Sequence, residues 1–151
     1  MCSTKSTSPF LMFSLIVIFC TLSPYLQTTV AVSFNPRKVV RINNTIPTHN
    51  SIQPSKPLFA HCFSSSDNLG NWTMAENDQR EIHFRVDWTW STLFYCDFYW
   101  GSRYRGLPVF DASHDLCIGE RYVSWKVKTD GFYLKCGESS DGYLRHLYTW
   151  N

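Results

Sequence analysis

Between Trp88 and Gly101 the chain reads W-T-W-S-T-L-F-Y-C-D-F-Y-W-G, with seven aromatic residues and a cysteine. Phe94, Cys96, Phe98 and Trp100 fall on one side of an extended chain; Tyr95, Asp97 and Tyr99 fall on the other. Alternation at period two marks a strand with one buried face, and it directs Cys96 into the apolar side. Ile82, Phe84, Val86 and Trp88 alternate in the same way against His83, Arg85 and Asp87. A short Thr/Trp/Ser link joins the two runs, which predicts an antiparallel hairpin. Aromatic side chains bury the most area per residue, so this pair should carry much of the core. By the same parity Trp88, Trp100 and Trp125 are core residues.

The chain has 151 residues, enough for one domain. Lys and Arg total 14 against 12 Asp and Glu, so nothing in the charge points to nucleic acid. After Lys5, the stretch Phe10 to Leu22 is apolar except for Ser14 and Thr21, and Thr29-Val30-Ala31 then supplies small residues. Residues 1–31 are therefore read as a secretory signal peptide. The apolar run is short for a membrane span, and stable membrane insertion after cleavage is not expected. Cys2 and Cys20 leave with the signal. Cys62, Cys96, Cys117 and Cys136 remain, and in a small secreted domain they read as two disulfides with three connectivities open.

Residues 32–57 are polar and carry Pro36, Pro47, Pro54 and Pro57, which predicts an extended arm with at most an edge strand at Val39–Ile42. Asn43-Asn44-Thr45 is an N-glycosylation sequon on that arm, and Asn71-Trp72-Thr73 is a second one. Leu58 to Phe63 alternates as a short strand. Ser64 to Trp72 has the Ser/Asp/Asn/Gly content of a surface loop. Ser102 to Leu107 reads as a loop whose Arg103, Tyr104 and Arg105 form a contact patch. Pro108 to Asp111 is a short strand, and the loop Ala112 to Arg121 carries Cys117. Tyr122 to Cys136 is a second hairpin. Asp130-Gly131 as a type I′ turn sets Val127 opposite Leu134, Trp125 opposite Cys136 and Lys126 opposite Lys135. Gly137 to Gly142 is a loop with Glu138 and Asp141, and Tyr143 to Trp150 is a closing strand. About seven or eight short strands without an amphipathic helix predict an all-β sandwich or barrel over residues 58–151.

Catalysis by histidine needs paired acid and base groups. His61, His83, His114 and His146 are present, and Asp111, His114 and Asp115 form the best cluster. No G-x-S-x-G nucleophile elbow accompanies them, and no enzyme is expected. His114 and Cys117 stand three apart, but zinc would need two further ligands and a reduced thiol, so neither metal nor cofactor is expected. Trp72 and Tyr104, read as loop residues, could stack on sugars. An extracellular carbohydrate or cell-wall binding module is therefore the alternative reading.

The ordered set His61-Cys62, Asp67-Asn68-Leu69-Gly70, Phe84, Thr92 to Trp100, Phe110-Asp111, Asp115, Cys117, Trp125 to Lys128, Asp130-Gly131 and Tyr133 resembles the plant self-incompatibility family of small secreted S-proteins and their homologues. The resemblance runs from about Val39 to Leu134. It departs from the family pattern at Val123-Ser124, where a cysteine would precede the tryptophan of the last hairpin. The resemblance implies a disulfide-bonded, antiparallel β-sandwich secreted from plant cells. It also implies a non-enzymatic extracellular ligand recognised by a cell-surface receptor, in pollen–pistil self-incompatibility or a related recognition process. On this reading the protein is an extracellular monomer, and Arg103, Tyr104, Arg105, Glu138 and Asp141 are the receptor-contact candidates.

Overall fold

The computed structural model describes residues 35–53, 55–139 and 142–151. The signal peptide read over residues 1–31, with Cys2 and Cys20, lies outside the described residues. Nine strands form among the described residues: β1 Arg37–Asn44, β2 Leu58–Phe63, β3 Asn68–Met74, β4 Gln79–Arg85, β5 Leu93–Trp100, β6 Arg103–Asp111, β7 Tyr122–Lys128, β8 Gly131–Cys136 and β9 Arg145–Tyr148. They build a disulfide-bonded β-sandwich. One sheet has the order β4-β1-β7-β8-β9, and the other has the order β3-β2-β5-β6. Every pairing is antiparallel except β1 with β7.

The apolar side of β5 faces inward as the alternation requires. Phe94, Cys96, Phe98 and Trp100 are all buried, and Cys62 opposite Cys96 is bonded to it. The partner of β5 differs from expectation. It pairs with β2 and β6, while β4 pairs with β1 in the opposite sheet. Two successive strands can both turn an apolar face to one core from opposite sides, and alternation does not distinguish that from a hairpin. Ile82 and Val86 are buried and Phe84 packs on Phe94 and Phe110 at 4.6 and 4.8 Å, but Trp88 lies beyond the strand and is 76% exposed.

The sandwich begins at Arg37 rather than at residue 58. β1 is a central strand, bonded to β4 on one side and β7 on the other. Its inward positions are Lys38, Val40, Ile42 and Asn44, all buried. Polar residues at both ends made the apolar run look too short for a core strand. Asn44 is satisfied there by donating to the carbonyls of Met74 and Ala75, both at 3.0 Å, and accepting from Ile46 N. Two segments read as loops are also strands: β3 takes in Asn68–Trp72, and β6 runs unbroken from Arg103. Pro108 is tolerated in β6 because that strand is a sheet edge.

The second hairpin forms with its register moved by two residues. Val127 faces Phe132, Trp125 faces Leu134 and Val123 faces Cys136. An even shift keeps every residue on its expected face. Lys126 meets Tyr133 and Lys135 meets Ser124, so the two lysines are not opposed. The turn is made by Thr129 and Asp130. Gly131 is needed for close approach: its φ is +150°, and a Cβ would lie 2.1 Å from the Tyr148 carbonyl oxygen of β9.

Gly131→Ala should therefore lower stability by about 1–3 kcal/mol from overpacking, added to the backbone cost of its positive φ. Gly70→Ala meets no atom within 4 Å and should cost about 1 kcal/mol through its backbone alone. Urea unfolding midpoints compare the two, and equal losses would contradict the crossing of β9 over Gly131.

Candidate functional site

Asp111, His114 and Asp115, the best acid/base cluster in the sequence, are divided by the structure. Asp111 caps the 3-10 turn Ala112–His114, accepting from Ser113 N at 2.9 Å and from Ser113 Oγ at 2.6 Å. The Ser113 hydroxyl is the main cause that holds the Asp111 carboxyl below its ordinary range. His114 Nδ1 lies 3.3 Å from Asp111 Oδ2 and its ring is largely exposed. Asp115 points the other way, into the protein. Its Oδ2 accepts from Lys38 Nζ at 2.6 Å and its Oδ1 accepts from Cys117 N at 2.8 Å. Lys38 Nζ also donates to the Cys117 carbonyl at 3.1 Å. The pair is a buried ion bridge fastening the loop to β1. Cys117 is bonded to Cys136, which fastens the same loop to β8.

With Asp115 and Cys117 turned inward, the residues between and after them turn outward. Leu116 is 53% exposed and Ile118 is 85% exposed. A second ordered loop lies across from them. Asp87 accepts from the hydroxyls of Thr89 and Ser91, and its backbone N–H donates to Thr92 Oγ1 at 2.7 Å. The Thr89 hydroxyl, then that of Ser91, lowers the Asp87 carboxyl pKa. This loop presents Trp88 and Trp90, and Trp90 has φ 58°. A groove of about 750 Å³ lies between the loops, with Arg37, Trp90, His114, Leu116, Ile118 and Arg121 in its wall. It is apolar with a charged margin formed by Arg37, Glu120 and Arg121. Sequence reasoning placed Trp88 in the core by parity and passed over Leu116 and Ile118. The signal for those two was that they flank Cys117: a disulfide cysteine turned inward leaves its neighbours outward.

The expected contact patch does not form as a patch. Along β6, Arg103 and Arg105 point to one side and Tyr104 to the other. Arg103 donates to the Thr129 carbonyl at 2.8 Å and lies over Trp100. Arg105 donates to Asn151 Oδ1 at 2.7 Å and lies over Tyr148. Both arginines tie the edge of one sheet to the other. Tyr104 lies on the outer face beside Tyr99 and donates to Asp97 Oδ1 at 2.7 Å. Glu138 is exposed, and Asp141 is outside the described residues.

The other sequence candidates take these places. The bridges are Cys62–Cys96 and Cys117–Cys136. Asn43 is on central β1 and donates to the Trp125 carbonyl at 3.4 Å, while Asn71 is exposed on edge strand β3. His61 meets Asn68 Oδ1 at 3.1 Å, and His83 meets Glu81 at 2.9 Å. Among the described residues no group of three or more His, Cys, Asp or Glu is placed to hold a metal ion, and no helix is long and apolar enough to cross a membrane.

Lys38→Ala should cost about 3–5 kcal/mol, because it leaves Asp115 buried and uncompensated. Lys38→Met with Asp115→Leu should cost less than either single change, and a larger loss in the double variant would contradict a paired charge. Tyr104 gives a second check. Its hydrogen bond to Asp97 is the main cause that pushes its pKa up to about 12. A raised pKa favours the folded state below the ordinary tyrosine range, and that contribution is lost as pH rises through the raised value. Absorbance titration should show this phenol returning toward the ordinary range in Asp97→Asn.

Comparison with known proteins agrees with this architecture. The profile of the plant self-incompatibility protein S1 family matches residues 45–150. S-protein homolog 3 of Arabidopsis thaliana is 29% identical over 131 residues, covering 83% of this chain and 80% of that protein. S-protein homolog 5 of Arabidopsis thaliana is 31% identical over 87 residues, or 58% of this chain and 67% of that one. Self-incompatibility protein S1 of Papaver rhoeas is 31% identical over 91 residues, or 58% and 64%. A solved structure of SPH (self-incompatibility protein homologue) proteins, described as small, highly stable and secreted from plants, superposes with a TM-score of 0.57 at 25% identity. It covers 77% of this chain and 96% of its own. The chain, a disulfide-bonded two-sheet sandwich with its apolar alternation folded inward, belongs to the plant self-incompatibility S1 family of secreted S-protein homologues.

Proposed function

We propose that this protein is a non-enzymatic extracellular ligand, read by a receptor protein at a plant cell surface through the loop end of the sandwich. One observation carries the reading. Trp88, Trp90, Leu116 and Ile118 are exposed on two loops whose Asp87 and Asp115 carboxylates are bonded internally, and the last three line one groove. Folding does not need these side chains outside. Contiguous exposed apolar groups mark interaction surfaces, and tryptophan is a leading anchor at protein interfaces. The loops are held by an ion pair, a disulfide and an Asp-centred turn, so little ordering remains to be done on binding. Arg37, Glu120 and Arg121 give the groove a charged margin that can select a partner of complementary charge. Glu138 stands two residues beyond Cys136, whose bridge holds Leu116 and Ile118. Together with Asp141 it is proposed as part of a polar rim. Asp111 and Asp115 are occupied as a cap and as an ion-pair partner, which favours a structural role for that cluster.

A carbohydrate-binding reading has one observation in its favour: Phe59, Tyr99 and Tyr104 are exposed on a sheet face. The two readings part in one experiment. Labelled, oxidised protein is titrated onto intact plant cells with and without surface proteolysis. Replacing Trp88, Trp90, Leu116 and Ile118 by serine should weaken saturable binding about 100-fold, as expected for two anchor tryptophans, with the thermal midpoint kept. Alanine at Arg103, Tyr104, Arg105, Glu138 and Asp141 should weaken it less. Binding that survives proteolysis and is competed by wall polysaccharide would favour the carbohydrate reading. Undiminished receptor binding by the serine variant would refute the loop-end surface.

A further inference from the structure

The two outer faces of the sandwich differ in chemistry. The outer face of the five-stranded sheet is charged, and its rings are covered or stacked: Arg41 pairs with Glu81 and lies over Tyr122, Lys128 lies over Tyr133, Tyr133 stacks on His146, and Lys126 is exposed. The outer face of the four-stranded sheet carries rings. Phe59, Tyr99 and Tyr104 stand side by side across β2, β5 and β6 and are 46%, 46% and 39% exposed. Phe63 and Tyr95 form a second bank, with ring centroids 5.7 Å apart. Between the banks runs a row without large apolar groups: Asn71 on β3, His61 on β2, Asp97 on β5 and Gly106 on β6, each opposite the next.

Gly106 ends this row at a junction of the two banks, where Tyr104 donates to Asp97 Oδ1 at 2.7 Å. A Cβ there would lie 2.6 Å from the Tyr95 hydroxyl, 2.7 Å from the Tyr104 hydroxyl and 2.8 Å from Asp97 Oδ1. Without a side chain, two phenols and a carboxylate converge on that point. Rings on both sides of a polar row, with hydroxyls and a carboxylate at its end, suit a saccharide. Its C–H faces lie against the electron-rich ring faces, and its hydroxyls meet the polar row. At the usual spacing between strands, the row from Asn71 to Gly106 is about 14 Å long, the span of a short oligosaccharide.

The other end of the row is a sequon. Asn71 begins Asn71-Trp72-Thr73 and is exposed on an edge strand. The other sequon is built into the sheet. Asn43 sits between β4 and β7, Asn44 is buried and bonded to the Met74 and Ala75 carbonyls, and Thr45 Oγ1 donates to the Val127 carbonyl at 2.9 Å. We propose that Asn71, and not Asn43, carries an N-linked glycan, and that this glycan lies along the row and covers the aromatic face. The donor is an oligosaccharide joined to a lipid pyrophosphate, met on the secretory route. Asn71 Nδ2 forms a bond to C1 of the first N-acetylglucosamine. The C1–O bond to the pyrophosphate breaks, the lipid pyrophosphate leaves, and one Nδ2 proton passes to a base of the transferase. The aromatic face is then occupied by the chain's own carbohydrate, which leaves the loop end as the open apolar surface.

The test uses the full chain secreted from plant cells. Mass spectrometry of its peptides should find the glycan on Asn71. Asn71→Gln should lose that glycan mass, and Asn43→Gln should keep it. A bare Asn71, or occupancy at Asn43 alone, would overturn the assignment. Proton NMR of the folded glycoprotein should show an N-acetyl methyl signal moved upfield by the Phe59 and Tyr99 rings. The signal should return to the free-glycan position in Phe59→Ser and in Tyr99→Ser, with thermal midpoints reporting that both variants fold. Free-glycan positions in the unmutated protein would overturn the covering of the face. So would wall-polysaccharide binding by the glycosylated protein that Phe59→Ser abolishes.

Discussion

Phe98 of β5 meets Phe132 of β8 with ring centroids 5.0 Å apart, and the cohesion of the two sheets rests on that contact and its neighbours. Trp150 packs on Phe132 at 4.7 Å and on Trp100 at 5.9 Å, closing a ring cluster across the sandwich. Neither disulfide joins a strand of one sheet to a strand of the other. Cys62–Cys96 links neighbours in one sheet, and Cys117–Cys136 links a loop to β8. The bridges close chain segments of 34 and 19 residues, each worth about 3–4 kcal/mol in a chain-entropy account. They therefore reduce the freedom of the unfolded chain, while ring packing holds the layers together. Directional bonds cross between the sheets as well: Trp125 Nε1 of β7 donates to the Val109 carbonyl of β6 at 2.8 Å, and Asn44 Nδ2 of β1 donates to the Met74 carbonyl of β3 at 3.0 Å. They fix how the sheets are aligned, which ring packing alone specifies loosely.

The buried polar groups have a different task. Lys38 and Asn44 sit at the two ends of β1, where apolar residues would pack without preference for any one loop arrangement. Each reaches a particular segment: Lys38 reaches the loop around Asp115, and Asn44 reaches the carbonyls at the end of β3. A buried charge needs a partner, so the loop has few alternative positions. The exposure of Leu116 and Ile118 is a consequence of that requirement. Stability inside the protein thus determines which side chains a partner would meet outside.

Much of the fold was legible. Alternation in Phe94–Trp100 and in Tyr122–Cys136 assigned the correct residues to the core, because a period of two depends only on neighbouring peptide units. The paired-cysteine reading needed only composition and a secretory context. The site was less legible. Trp88 continues the alternation of Ile82, Phe84 and Val86, and only the turn built by Asp87, Thr89 and Ser91 removes it from the core. Arg103 and Arg105 look like surface charges in sequence, yet their guanidinium groups lie over Trp100 and Tyr148. Such contacts join residues far apart in the chain, and local pattern carries no record of them.

The sequence by itself determined the all-β class, the inward faces of the main strands and the four bridging cysteines, since all of these follow from local periodicity and chemistry. Tertiary structure decided which strands pair, that β1 lies in the middle of a sheet, and which cysteines join. It also decided that one outer face is charged while the other is a bank of rings leading from Asn71. The reason is physical: backbone geometry says which way a side chain points, but only the assembled sheets say what lies there to meet it.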